Sequence, residues 1–194
     1  EKYRERVIQL GEMPERVVNV GAIGLDHLSR TKLLSRTELA DSLDFQVNKP
    51  YFVVTYHSVT LGNEDPVDAV TSLLLALDHF ESHQVILTFP NADDGGRKII
   101  PLLETYASSS PDRVLLIPSL GQKRYLSAVK YSDAVIGNSS SGIIEVPSFD
   151  VPTINIGLRQ KGRLAAKSVL NCAPNTFAIK ESIDIAISKK YKKK

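Results

Sequence analysis

The chain is poor in the residues that build disulfides and metal centres. Its 194 residues include one cysteine, four histidines and no tryptophan. The single Cys172 excludes an internal disulfide and suits a reducing compartment. Cysteine and histidine are too few and too scattered for a structural zinc site, so no metal is expected. Because Cys172 lies in the strand-like run 168–172, we expect a small buried residue rather than a nucleophile.

The chain also lacks an excess of charge and a long apolar run. Its 24 basic and 22 acidic residues leave a net charge of +2, which gives no global reason for a nucleic-acid or membrane partner. No segment is apolar enough to span a bilayer, and no signal peptide opens the chain. These features predict a cytoplasmic protein. The basic cluster at 189–194 is typical of a solvated chain end, with a phosphate-seeking arm as the alternative.

Several well-known catalytic motifs are missing as well. The sequence has neither a Walker A loop nor a G-x-G-x-x-G fingerprint, so nucleoside triphosphates and nicotinamide cofactors are not indicated. It has no Gly-x-Ser-x-Gly elbow of the kind that a Ser-His-Asp hydrolase needs. Asp93 and Asp94 before Gly95 are too short a match to a Ca²⁺ or Mg²⁺ loop. We therefore predict no cofactor.

What the sequence does have is an alternation of apolar β-branched runs with amphipathic stretches. This alternation predicts an α/β fold in which an open parallel sheet is flanked by crossover helices. The predicted strands are 51–56, 85–89, 114–117, 134–136 and 153–156. The predicted helices are 66–80, 95–107, 122–131, a short one from 142 onward, and 182–188.

The first fifty residues predict a junction segment. The run 16–20 is expected to be a strand, 28–40 a helix and 41–49 an irregular connection. The chain starts without Met in a helical pattern, so we expect it to be a piece of a longer protein. The predicted organisation is a single domain with a junction at 1–50, main β-α units at 51–188 and a basic tail at 189–194.

A serine-rich turn follows the strand 134–136. Residues 137–142 read Gly-Asn-Ser-Ser-Ser-Gly and lead into a predicted helix. Glycine and serine at such a turn let backbone N–H groups approach a ligand, and the helix start favours an anion. One serine would cap the helix in any protein, but three exceed what a cap needs. The segment therefore predicts a phosphate site.

Polar residues follow the other strands, where ligands bind in open parallel sheets. His57 can donate to phosphate, but a structural histidine is equally consistent with its position. Asn91 is the first polar side chain past its strand, which loop structure explains equally well. Glu145 can accept from ribose hydroxyls or simply favour the helix start. The loop 157–163 contains Arg159, a fork-shaped phosphate donor, with an exposed basic turn as the alternative.

Taken in order along the chain, these motifs resemble the UDP-N-acetylglucosamine 2-epimerases. The hydrolysing branch, which feeds sialic-acid-type and related polysaccharide biosynthesis, is the most similar. The motifs that carry the resemblance lie at 20–26, 55–60, 89–93, 137–145 and 154–163. One departure is Ser58, which stands where many relatives have proline.

The resemblance implies a GT-B-type architecture, with two Rossmann-like domains facing each other across a cleft. This chain would be the C-terminal, UDP-binding domain. Ser139, Ser140 and His57 would contact the diphosphate, Glu145 the ribose, and the backbone after Ile117 the uracil. The implied UDP-binding residues are His57, Asn91, Ile117, Ser139, Ser140, Gly142, Glu145 and Arg159.

The family reaction implied is anti elimination of UDP, followed by water addition that inverts C2 and releases an N-acetylmannosamine-type sugar. The acid–base carboxylates would lie in an N-terminal domain outside this chain, so the fragment alone is expected to be inactive. The expected partners are a UDP-sugar carrying one or two N-acetyl groups and further copies of the protein, in a dimer or tetramer. The alternatives are a GT-B-type UDP-sugar glycosyltransferase and a non-catalytic nucleotide-binding module.

Overall fold

The computed structural model describes residues 1–59, 65–92 and 95–188, apart from the side chains of His27 and Ser29. Contacts divide the chain into two compact units, Glu1–Thr31 and Lys32–Lys194. The predicted basic tail at 189–194 lies outside the described residues, as do Asp93, Asp94 and the end of the motif at 55–60.

The first unit consists of short helices with no buried residue among those described. It contains α1 (Lys2–Gln9), 3-10 turns at Pro14–Arg16 and Ile23–Leu25, and α2 (Asp26–Arg30). The Arg4 guanidinium ties α1 to the following turn, because it donates to the carbonyls of Val17 (2.8 Å) and Pro14 (2.7 Å).

The strand predicted at 16–20 is wrong for this structure. Arg16 ends a 3-10 turn, and the residues after it form no ladder with any described strand. Val18 and Val20 are 72% and 70% exposed. A β-branched run becomes a strand only where a neighbour pairs its backbone, and here the Val17 carbonyl accepts from the Arg4 side chain instead.

The second unit contains a six-stranded, all-parallel sheet. Its strands are β1 (Tyr51–Thr55), β2 (Gln84–Thr88), β3 (Val114–Ile117), β4 (Ala134–Gly137), β5 (Thr153–Ile156) and β6 (Val169–Cys172). Their order across the sheet is β3-β2-β1-β4-β5-β6, the order of a doubly wound Rossmann fold. The predicted fold class is confirmed, and the strand-like run at 168–172 is β6.

Six helices accompany this sheet in the described residues. They are α3 (Arg36–Leu43), α4 (Pro66–Asp78), α5 (Gly96–Ser109), α6 (Gly121–Tyr131), α7 (Ser141–Ile144) and α8 (Thr176–Ile187), with a 3-10 turn at Val146–Phe149. Asp65 caps α4 by accepting from the amides of Val67 and Asp68, and Pro66 occupies its first turn.

Two helix predictions differ from the structure because of capping residues. The helix predicted at 28–40 is two helices, since Ser35 and Glu38 form a reciprocal capping box that starts α3 anew. The helix predicted at 182–188 begins six residues earlier, at Thr176. Its start is set by the Asn175 side chain, which accepts from the Ala178 amide.

The core lies on both faces of the sheet. Alternate strand residues such as Phe52, Val54 and Leu87 pack against α4, α5 and α8. The intervening residues, such as Val53 and Ile86, pack against α3 and α6. Because both faces are covered, the central strands are mainly apolar, and the sequence shows them as nearly continuous hydrophobic runs.

Arg113, which directly precedes β3, is hydrogen-bonded to the end of α4. Its guanidinium donates to the carbonyls of Leu77 (2.6 Å) and His83 (3.0 Å) and to the hydroxyl of Tyr106 (3.1 Å). We expect Arg113→Ala to lower the free energy of unfolding by about 1–2 kcal/mol, because the Leu77 carbonyl at the end of α4 and the His83 carbonyl before β2 lose a charged donor. Urea unfolding measures this. Lys180→Ala, which breaks an exposed pair with Asp184, is the control and should cost less than about 0.5 kcal/mol.

Candidate functional site

The sheet order reverses between β1 and β4, and a cleft opens there at the carboxyl ends of the strands. From β1 the chain proceeds to β2 and β3 on one side, and from β4 to β5 and β6 on the other. Open α/β sheets bind ligands at such a switch point. The cleft has a volume of about 550 Å³ and takes residues from the ends of four adjacent strands: Thr55, His57, Thr88, Asn91, Pro118 and Ser139.

Gly137 brings β4 close to β1 at this point. Its φ is +137°, and a Cβ there would lie 1.9 Å from the Thr55 carbonyl oxygen. No other residue fits without moving the strands apart. The first glycine of the turn at 137–142 is therefore required because it lets the backbone of β4 lie close to that of β1.

Asn138 bridges the two strands directly beyond the sheet. Its amide oxygen accepts from the His57 backbone N–H, and its amide nitrogen donates to the His57 carbonyl, both at 2.8 Å. Asn138 is 0% exposed. The side chain thus continues the β1–β4 ladder for one more residue and sets the position of His57. The sequence alone does not point to Asn138, because the pairing depends on which strands are neighbours.

The His57 ring is oriented by the loop after β2. Its Nδ1 accepts from the Asn91 backbone N–H at 3.0 Å, and the residue is 7% exposed. An acceptor Nδ1 places the proton of the neutral imidazole on Nε2. His57 and Asn91 both line the cleft, as expected, but Asn91 acts on His57 through its backbone.

The serine turn leaves backbone donors available. The amide N–H groups of Ser139 and Ser140 have no acceptor within the described part of the chain. Ser140 stands at the N-cap of α7 without making a side-chain capping bond. The Ser139 hydroxyl accepts from the Ser141 amide at 3.4 Å, so its own proton is not used in that bond. Capping alone does not account for three serines.

Gly142 faces the sheet. A Cβ on Gly142 would lie 2.7 Å from the Thr153 methyl carbon, and the Thr153 hydroxyl donates to the Gly142 carbonyl at 2.8 Å. The structure thus gives this glycine a packing role between α7 and β5. Gly142 and Ser140 are not among the residues that line the cleft, so their contact with a ligand stays a prediction.

Arg159 and its neighbour support the turn from the β5 side. The Arg159 guanidinium (3.2 Å) and the buried Gln160 amide (2.8 Å) both donate to the Asn138 carbonyl. Neither lines the cleft. Ile117, the last residue of β3, does not line the cleft either, although the next residue, Pro118, does. The predicted ligand contacts of Arg159 and Ile117 stay predictions.

Glu145 lines the cleft beside two residues that the sequence did not single out, Tyr125 of α6 and Ser141 of α7. The Ser141 hydroxyl donates to the Tyr125 hydroxyl at 2.7 Å. Burial raises the pKa of Tyr125 to about 12; the bond from Ser141 opposes this rise, and the Glu145 carboxylate adds to it. The phenol is therefore protonated at neutral pH.

Thr55 and Thr88 form a second hydroxyl pair in the cleft, which the sequence alone does not predict. Their hydroxyls are 2.6 Å apart at the ends of β1 and β2, and both residues line the cleft. Each threonine is the last residue of its strand, and the two strands are neighbours, which is the feature that could have indicated this pair.

Other candidate chemistry finds little support in the residues that the structure describes. Burial raises the pKa of the Cys172 thiol to about 11, so it is protonated at neutral pH. No group of three metal-ligating side chains occurs in the described ranges. Nor is any helix in those ranges long and apolar enough to cross a membrane.

The fold agrees with that of solved structures, and the sequence is similar to that of curated relatives. The chain superposes over its full length on 53% of the UDP-GlcNAc 2-epimerase of Neisseria meningitidis bound to UDP-GlcNAc, with a TM-score of 0.70 at 16% identity. It is 39% identical over 98% of its length to a polysialic acid biosynthesis protein of Escherichia coli. It is 37% identical over 90% of its length to a GDP/UDP-N,N'-diacetylbacillosamine 2-epimerase (hydrolyzing) of Campylobacter jejuni.

The chain spans about half the length of these curated relatives, namely 48% and 46%. The model of the UDP-N-acetylglucosamine 2-epimerase family matches residues 1–194. The family that the motifs resembled is thereby confirmed: this chain belongs to the UDP-N-acetylglucosamine 2-epimerase family.

Proposed function

We propose that this chain is the UDP-binding, C-terminal half of a hydrolysing UDP-N-acetylglucosamine 2-epimerase with GT-B-type architecture. The observation that carries the proposal is the cleft at the β1–β4 switch point, where His57, Ser139 and Glu145 come together in a chain of this family. Its volume of about 550 Å³ lies within the usual range for ligand sites, roughly 300–1,000 Å³.

The serine turn is proposed to bind the diphosphate. The amides of Ser139 and Ser140 and the Ser139 hydroxyl are donors without a competing acceptor in the described residues. His57 adds the Nε2–H that follows from its Nδ1 bond to Asn91. Donors that are already fixed in place need little reorganisation when an anion binds.

The uridine is proposed to lie along the cleft toward β3 and α6. Glu145 accepts from ribose hydroxyls, as acidic residues do in dinucleotide sites. The backbone between Ile117 and Pro118, at the end of β3, reaches the uracil. Arg159 is proposed to move onto the diphosphate when the cleft closes, which its long side chain allows.

The contribution of this half to the reaction is to stabilise the leaving group. UDP is the leaving group in the elimination step, so donors that hold its developing negative charge lower the barrier. The carboxylates that move protons at the sugar belong to the remainder of the longer protein. Substrates are UDP-linked N-acetylhexosamines, either the mono-N-acetyl sugar or the diacetylated one in the names of two relatives. The full protein is proposed to act in the cytoplasm as a homo-oligomer.

Calorimetric titration of this chain with UDP tests the assignment. We expect binding with a dissociation constant of about 10 μM to 1 mM, weaker binding of UMP, and no turnover of UDP-N-acetylglucosamine by this chain alone. Absence of UDP binding would refute the site. Sugar release by the chain alone would refute the proposal that the acid–base carboxylates lie outside this chain. In the longer protein, UDP release only when an acceptor sugar is added would favour the glycosyltransferase instead.

The double substitution Ser139→Ala, Ser140→Ala should weaken UDP binding by about 1–3 kcal/mol, because two hydroxyl donors to phosphate are lost while the backbone donors remain. Calorimetry measures the change. Ser148→Ala is the control, since Ser148 is exposed on the next turn and should leave the affinity unchanged. An unaltered dissociation constant in the double variant would mean that the hydroxyls do not contact the ligand.

A further inference from the structure

A pair of hydroxyls, Tyr125 and Ser141, joins helix α6 to the serine turn inside the cleft. Their oxygens are 2.7 Å apart, and both residues line the cleft together with Glu145. The Ser141 backbone N–H also donates to the Ser139 hydroxyl at 3.4 Å. Ser141 therefore connects Ser139, which is proposed to bind the diphosphate, to Tyr125 on helix α6.

This pair holds one hydroxyl proton more than it uses. Two hydroxyls carry two protons, and their mutual bond consumes one, whichever oxygen donates. With Ser141 as the donor, the remaining proton is that of Tyr125. It has no acceptor in the described residues. A half-buried donor without a partner at a ligand site is complementary to an acceptor on the ligand.

The surroundings of the phenol select the kind of acceptor. The Glu145 carboxylate lies close enough to raise the pKa of Tyr125, which keeps the phenol protonated. A ligand hydroxyl suits both groups at once, because it can donate its proton to the carboxylate and accept one from the phenol. A second carboxylate or a phosphate oxygen would be repelled by Glu145.

We propose that Tyr125, fixed by Ser141, donates a hydrogen bond to the ribose hydroxyl that Glu145 accepts from, and so makes the site select ribose over deoxyribose. The inference rests on the proposed function, since it requires UDP in the cleft with its ribose at Glu145. It adds a specificity-determining residue from α6. Discrimination arises because a deoxy nucleotide leaves both the phenol and the carboxylate without their partner.

The test compares UDP, 2′-deoxy-UDP and 3′-deoxy-UDP by calorimetry, in the unaltered chain and in Tyr125→Phe, which removes the hydroxyl and keeps the ring. We expect Tyr125→Phe to weaken UDP binding about 3- to 10-fold, the range for one lost hydrogen bond. The affinity of the analogue that lacks the contacted hydroxyl should not change. Tyr131→Phe is the matched control, because Tyr131 is also on α6 but donates to the Leu34 carbonyl away from the cleft.

The possible results separate the two proposals. If Tyr125→Phe weakens all three nucleotides equally, the phenol acts only through the turn, and the specificity role is wrong while the UDP site stands. If it weakens none of them, Tyr125 makes no ligand contact. If the unaltered chain binds no UDP, the proposed function fails and the role of Tyr125 fails with it. Thermal melts of both variants confirm that they remain folded.

Discussion

Gly137→Ala should destabilise the second unit by about 3–5 kcal/mol, the largest effect that we expect from one methyl group in this chain. The φ of +137° is strained for any residue with a Cβ, at a cost of roughly 1–3 kcal/mol. The new Cβ would also lie 1.9 Å from the Thr55 carbonyl oxygen, so β1 and β4 must separate. Because a domain is stable by only about 5–15 kcal/mol, much of that stability would be lost.

Urea unfolding followed by circular dichroism measures this loss. Gly162→Ala is the matched control, because Gly162 also has a positive φ of +84° but nothing lies within 4 Å of a Cβ built there. We expect the control to cost about 1 kcal/mol, from backbone strain alone. Equal losses in the two variants would show that the β1–β4 approach is looser than the structure has it.

Asn138→Asp should cost about 2–4 kcal/mol of folding stability and at least about tenfold in UDP affinity. The substitution keeps size and shape but replaces the amide donor by a carboxylate oxygen, which then faces the His57 carbonyl. A buried carbonyl loses its donor, and a charge is placed at a site that is 0% exposed. His57 shifts as a result, so the proposed diphosphate contact is lost as well.

Two measurements separate these effects. Urea unfolding gives the stability change, and calorimetry with UDP, at a temperature where the variant is folded, gives the affinity change. Asn19→Asp is the control, since Asn19 is exposed and its side chain accepts a local bond from the Gly21 amide. It should change stability by less than about 0.5 kcal/mol. Normal UDP affinity in folded Asn138→Asp would show that His57 does not depend on this bridge.

The elements that the sequence predicted well are those whose pattern is set by burial on both sides. β3 and β5 were predicted to the residue, and β1, β2 and β4 to within one, because both faces of the sheet are covered by helices and its strands are mainly apolar. The predictions that failed depended on hydrogen bonds, either to a neighbouring strand or to a capping side chain. The run 16–20 has strand composition, but no strand pairs with it in the described residues, and α3 and α8 begin where a side chain caps them.

The same division holds at the site. His57, Asn91, Ser139 and Glu145 were readable because each follows a strand of a parallel sheet, and strand ends share one edge. Asn138, Tyr125 and Ser141 were not, since their partners are 16 to 81 residues away along the chain. The ligand contact of Arg159 stays a prediction, and nothing in the sequence indicated that its guanidinium donates to the Asn138 carbonyl.

By itself, the sequence determined the α/β class, the strand ends that carry polar residues, and the motif series of the family. Local periodicity and turn chemistry are sufficient for these features, because each depends on residues near one another in the chain. The tertiary structure decided that β1 and β4 are neighbours, that Gly137 permits their approach, and that Asn138 fixes His57 beside the serine turn. These features depend on backbone groups from distant segments meeting at one edge, which no local pattern encodes.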